Sequence, residues 1–344
     1  MQSSRAPARF AKIARTVRPQ RACARTMSAT ETDLEPPRID TAVVPAIEWP
    51  TLALIVFAYG AWLTLTLAYG EWPTWVVAPC VAVLLTLHSS LQHEILHGHP
   101  TRSTAINRLF GLPPLSLWVP YDRYRRSHLV HHINDRLTDP LDDPESNYLL
   151  PEDWQRRSLV SRWIFQAQLT LAGRMLIGSW WRMGGFIAAE ARACLRNEPG
   201  ARSAWLTHLI LCVPVVYWIT AVCSIPFWFY VVAMVIPGNA LLLVRSFAEH
   251  RARAATPERT ATVENSWVLG PLFLFNNLHA LHHAEPLLPW YRYNKRYRAR
   301  RAQLLEQSAG LVYSTYFDVA RRFLFTMHDQ PQHPLGRAPG QRQQ

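Results

Sequence analysis

The sequence predicts an all-α integral membrane fold: four transmembrane helices with a cytoplasmic helical cap that holds a metal site. Three observations predict it. Residues 49–70, 72–93 and 203–244 contain no Asp, Glu, Lys or Arg. The basic excess lies in blocks that flank those stretches. Histidines recur at helical spacing in three short clusters beside them.

A bilayer core of about 30 Å takes roughly 20 helical residues to cross. Residues 49–70 and 72–93 each supply one span. Residues 203–244 are long enough for two, joined by a tight turn near Ser224, Ile225 and Pro226. Pro237, inside the last span, is tolerated where neighbouring helices satisfy the carbonyl it frees. Charged residues are only 17% of the chain, against roughly 25% in soluble domains.

The net charge of +12 and the isoelectric point near 9.9 would fit a nucleic-acid binder. Their distribution argues otherwise. Residues 1–48 hold eight Lys/Arg against five Asp/Glu, residues 101–202 fourteen against ten, and residues 245–344 fourteen against seven. These blocks alternate with the apolar stretches, as the positive-inside rule requires, so no nucleic-acid partner is expected. Four spans put both termini and all three basic blocks on one side, which should be the cytoplasm.

The chain divides into a disordered basic tail (residues 1–45), a membrane domain (46–305), and a C-terminal helix with a disordered tail (306–344). Residues 1–30 are Arg-rich and acid-poor. That composition resembles a mitochondrial presequence, but a basic tail, or an extension upstream of a start at Met27, explains it more simply. Residues 106–119 are apolar but too short to cross, which suits a re-entrant or interfacial segment. Residues 159–195 mix apolar runs with Arg162, Arg174, Arg182, Arg192, Trp163, Trp180 and Trp181. They read either as helices lying in the interface, basic side chains towards the headgroups, or as amphipathic helices packed on the cap. The five cysteines form no CxxC pair and read as small core residues.

Fourteen histidines are present, and eight form three clusters: His93 and His97; His128, His131 and His132; His279, His282 and His283. On a helix, residues i, i+3 and i+4 share one face, so each cluster converges. Imidazole suits Zn, Cu, Fe and Ni, so ligand type does not choose the metal. Ligand number helps. One zinc site uses three or four ligands, and eight imply two ions. Glu94 and Glu249 stand beside cluster residues. They would either accept the second ring N–H of a ligand or form ion pairs, Glu249 with Arg245. Asp139, Asp142, Asp143 and Glu145 are expected to shape a turn with Pro140 and Pro144. His99, His88 and His208 read as structural, and His328 and His333 as solvated.

These three boxes, in this order and beside these spans, resemble the membrane fatty acid desaturase superfamily over roughly residues 50–300. That resemblance implies a four-span fold with a cytoplasmic di-iron centre, two Fe2+ ions, and O2 with an external electron donor as co-reactants. It also implies one more histidine ligand between the last span and the third box, where His250 stands. Some relatives carry an Asn one turn earlier; here that position is Ser246. Asn276 and Asn277 could supply hydrogen bonds to the ligands instead.

The reaction implied is O2-dependent attack on an unactivated alkyl C–H bond, most simply by a desaturase of acyl-lipid or acyl-CoA substrates. Hydroxylation or ketolation of a lipid or carotenoid shares its first hydrogen abstraction. No CxxCH motif or cysteine cluster is present, so electrons should come from a separate ferredoxin-like or cytochrome-type donor. The run Arg292, Lys295, Arg296, Arg298, Arg300 and Arg301 could dock an acidic donor or bind headgroups beside Trp290 and Tyr291. A histidine-rich metal transporter, from a different class, should place its ligands near the bilayer midplane. Here the boxes lie at or beyond the span ends.

Overall fold

The computed structural model describes residues 45–133 and 136–334. The N-terminal tail, including Met27, and the chain from residue 335 lie outside the described residues. The described chain is mostly helical. Its one sheet is a parallel pair, β1 (Thr262–Val263) and β2 (Val312–Tyr313).

Four helices are long and apolar enough to cross a membrane: Trp49–Leu67, Thr74–Leu96, Ala201–Val222 and Phe227–Phe247. Proline marks three of their starts. Pro50 lies in the first turn of span one, and Pro73 and Pro226 cap spans two and four. Proline suits these positions because the first helical N–H groups have no partner to lose. The expected turn between spans three and four occupies residues 223–226, with Ser224 in the left-handed region at φ 54°. The two turns meet at one end, where the Trp218 indole donates to Thr66 Oγ1 at 3.0 Å.

Span two is the centre of the bundle, with Val77, Val81, Leu85 and Leu91 buried. It packs closely on span four at Gly238. A Cβ added there would stand 2.7 Å from the Ala82 carbonyl oxygen, and Thr86 Oγ1 donates to the Gly238 carbonyl at 2.9 Å. Gly238→Ala is therefore expected to destabilise the bundle by about 1–3 kcal/mol, the usual cost of overpacking. Gly60→Ala, where nothing lies within 4 Å, should be close to neutral. Thermal melting in detergent checks both, and equal midpoints for the two variants would contradict this packing.

Residues 106–119, read as a re-entrant or interfacial segment, pack among the spans. Helix Thr104–Gly111 leads into an irregular stretch that reaches between the spans. Tyr59 Oη donates to the Phe110 carbonyl at 2.7 Å, and Tyr230 Oη to the Leu115 carbonyl at 2.8 Å. His208 Nε2 bonds the Leu117 carbonyl at 3.1 Å. Non-helical backbone survives at membrane depth only when its polar groups are satisfied in this way. His208 and His88 thus both find partners inside the bundle, His88 through its Nε2, 3.2 Å from Tyr59 Oη.

Helices Leu159–Ala167 and Ser179–Leu195 expose Trp163, Trp180 and Leu195. Arg174, between them, agrees with the packed reading and not with a headgroup-facing side chain. It is buried, donates to the Gln168 carbonyl at 2.8 Å, and lies over the Phe247 ring. His328 and His333 are not solvated either. His328 is buried with its Nε2 2.7 Å from Tyr313 Oη, and His333 Nε2 is 3.3 Å from Thr138 Oγ1. The segment after β2 folds back over the histidine-bearing end, which its polar sequence did not suggest.

Candidate metal centre

All four spans bring one end to the same face, and the histidines gather there. Span two runs to Leu96, so His93 is its last-turn residue and His97 its cap. The second box rides on helix Tyr121–Ile133, and the third forms helix His279–Ala284. His250 follows span four and bridges to Thr260.

The nine candidate histidines fall into two groups. His93, His97, His128, His132 and His282 form one, and His131, His250, His279 and His283 the other. Within each group the ligand-type nitrogens lie within 4.8 Å of one another. The division follows helix geometry. Each HxxHH triple sends its i and i+4 residues to one group and its i+3 residue to the other. The second box sends its i,i+4 pair to the first group, and the third box sends its pair to the second.

Outer partners fix which ring nitrogen faces inward. His131 Nδ1 donates to Asp143 Oδ1 at 2.8 Å, and His128 Nδ1 to Glu145 Oε1 at 2.9 Å. His250 Nδ1 donates to the Arg259 carbonyl at 3.3 Å. These acceptors carry no proton, so each Nδ1 keeps its own, and the Nε2 of each neutral ring presents a lone pair. Yet His131 Nε2 and His250 Nε2 stand 3.1 Å apart, and His279 Nε2 lies 3.0 Å from His250 Nε2. In the first group His128 Nε2 is 3.1 Å from His97 Nε2 and 3.0 Å from His132 Nε2. Lone pairs facing at that distance repel unless a proton or a metal cation lies between. Two nitrogens each about 2.1 Å from one ion stand roughly 3 Å apart at a right angle. His282 Nε2 is buried without a hydrogen-bond partner, while its Nδ1 meets Tyr293 Oη at 2.9 Å. The donor set therefore fits two ions that accept imidazole.

Electrostatics agree. Burial, then neighbouring imidazoles, hold His97, His132, His279, His282 and His283 well below the usual histidine range. Burial and the proximity of His131 push His250 down to about 3. His131 is the exception. Burial opposes its charge, but Glu145, Asp143 and Glu249 outweigh it and lift the group to about 9. Glu145 is held low because His128 and His131 outweigh its burial.

Asp143 and Glu145 do shape the turn after the second box: Asp143 also accepts from the Thr138 and Glu145 amides. Their bonds to the box histidines were not foreseen. Glu94, by contrast, touches no box imidazole. It accepts the Trp290 N–H at 2.9 Å and lies 3.8 Å from His99. Glu249 pairs with Arg245 at 2.9 Å and stands 3.5 Å from His279 Nδ1. Asn276 bonds His279 and lies 3.3 Å from His93 Nε2, whereas Asn277 donates to the Val263 carbonyl, away from the ligands.

His99 lies outside both groups but is buried. Its Nδ1 is 2.6 Å from Glu48 Oε1, which ties the start of span one to the end of span two. In the C-terminal basic run, Arg296 and Arg300 pair with Glu285 and Arg301 with Glu264. A cavity of about 420 Å³ reaches the centre at His132 and His283, walled by Leu137, Pro257 and Leu304.

A family model for fatty acid desaturases matches residues 70–316. The chain belongs to the fatty acid desaturase family. The match covers spans two to four, the boxes and His250, but not span one, and it identifies the protein as an oxidoreductase. Comparison with curated proteins found no match.

Proposed function

We propose that this desaturase-family protein is a membrane-bound, O2-dependent di-iron enzyme that introduces a double bond into an acyl chain carried as an acyl-lipid or acyl-CoA. The observation that carries the reading is the convergence of nine imidazoles into groups of five and four, in a chain matched by the desaturase family model. Two bound irons would supply the O2 chemistry needed to attack an unactivated C–H bond.

The protein's own residues hold and orient. His93, His97, His128, His132 and His282 would bind one iron, and His131, His250, His279 and His283 the other. Asp143 and Glu145 take the outer ring protons of His131 and His128 and leave Nε2 free to bind. Leu91, Leu129 and Leu274 are buried in the apolar core next to the boxes and would keep water from the centre. Electrons would come from a separate protein of ferredoxin or cytochrome type.

Profiling the lipids and carotenoids of cells with and without the gene tests the reading. The expected result is an acyl chain with one additional double bond. A hydroxylated acyl chain, or an oxygenated carotenoid with acyl chains unchanged, would contradict desaturation and favour the alternative reactions of this scaffold.

The orientation is part of the proposal: both termini, and the centre, face the cytoplasm. Reporter tags at residue 35 and near residue 335 should both report cytoplasmic, and a tag in the turn at Glu71 the opposite side. Opposite locations for the two termini would contradict a four-span topology.

A further inference from the structure

A second cavity, of about 440 Å³, lies at the histidine-bearing ends of spans two and three. None of the nine histidines lines it. Ile95 and Leu96 of span two form part of one wall, away from the centre. Helix Tyr121–Ile133 supplies another wall through Arg123, Arg125 and Arg126, and span three a third through Ser203 and Thr207.

The charges in this groove are unevenly matched. Arg108 makes two hydrogen bonds to Asp122, at 2.8 and 2.7 Å. Arg123 makes two to Glu190, at 2.6 and 2.8 Å. Arg125 and Arg126 form no hydrogen bond or ion pair with any described residue. Two adjacent arginines thus line a half-enclosed groove with no carboxylate paired to either among the described residues. A guanidinium fork matches the geometry of a phosphate, with two parallel N–H bonds to its oxygens.

The level of the groove and what continues from it point to a lipid. Its walls are the ends of two spans, so it stands where bilayer headgroups stand. Ser203 and Thr207 are one helical turn apart. The same side of span three continues through Leu206, Ile210, Val213 and Tyr217, all exposed. A polar groove that passes into an apolar, outward-facing lane suits a headgroup with its acyl chain below it. We infer that this groove binds the phosphate of a membrane phospholipid through Arg125 and Arg126, as a lipid site separate from the metal centre. The bound lipid braces the helix whose other half carries His128, His131 and His132.

Binding of lipid to the purified full-length protein in dodecyl maltoside, counted by native mass spectrometry, tests this without turnover. Failure here is therefore distinct from failure of the proposed reaction. Dioleoyl phosphatidic acid should bind in one saturable equivalent, and dioleoylglycerol, which lacks the phosphate, should not. Arg125→Gln with Arg126→Gln should weaken that equivalent by about tenfold or more, the worth of a charge-assisted hydrogen bond. Lys295→Gln with Arg298→Gln, which removes equal charge from the C-terminal run, should leave it unchanged. Should the glutamine pair fail to fold, Arg125→Lys with Arg126→Lys keeps the charge but loses the fork, and should still weaken binding measurably. Wild-type binding by whichever folded pair is measured would overturn the assignment. So would equal binding of dioleoylglycerol, or displacement of phosphatidic acid by equimolar inorganic phosphate, which would make this a free-anion site.

Discussion

His250→Ala is expected to abolish turnover and to remove one of the two ions. His250 stands 3.1 Å from His131 and 3.0 Å from His279, nitrogen to nitrogen, in the group of four. Its loss leaves three donors and breaks the link between those two. Activity should fall by more than the roughly 10–100-fold carried by outer partners of metal ligands. Metal content should drop towards one ion per chain. His131→Ala should behave alike. His208→Gln, far from both groups, should leave the metal content unchanged. His99 is a poor control for this comparison, because its bond to Glu48 makes His99→Ala a test of folding. Thermal melting of each variant separates a folding defect from ligand loss. Near-normal turnover and metal in His250→Ala, with His131→Ala inactive, would make His250 a bystander. Asn276, which lies against both His93 and His279, would then be the next candidate.

Asp143→Asn is the second large expected effect, without removal of any ligand. The Asp143 carboxylate accepts the Nδ1 proton of His131 at 2.8 Å. An amide can present N–H at that position, which favours the tautomer with its proton on Nε2, the atom that must bind. Metal affinity should fall by about 10–100-fold. The loss should fall mainly on the group of four. Glu145→Gln acts on His128 and should instead weaken the group of five. Metal retention against increasing chelator, followed in both variants, reads this out. Retention equal to wild type in both would mean that these carboxylates only shape the turn.

Much of the fold was legible because charge is so costly in hydrocarbon. The charge-free stretches 49–70 and 72–93 correspond to spans Trp49–Leu67 and Thr74–Leu96, and the long stretch 203–244 to two further spans. The candidate histidines were legible because the spacing of HxxxH and HxxHH places them on one helical face. Their division between two groups was not. Residues i+3 and i+4 share a face, and which neighbouring helix each meets is a tertiary property. Asp143 and Glu145 were read only as turn formers, since nothing local shows that the turn folds back onto its own helix. His328 and His333 follow no apolar pattern, and it is packing against Tyr313 and Thr138 that buries them. Arg174 stood open between an interfacial and a packed reading, because its apolar neighbours suit both, and its guanidinium finds a carbonyl and an aromatic ring inside.

The most direct test of the two-ion centre is elemental analysis of the purified protein after iron-replete expression, with metal and protein quantified on the same sample. Five imidazoles on one side and four on the other predict two irons per chain. One zinc per chain with no iron would contradict the di-iron centre.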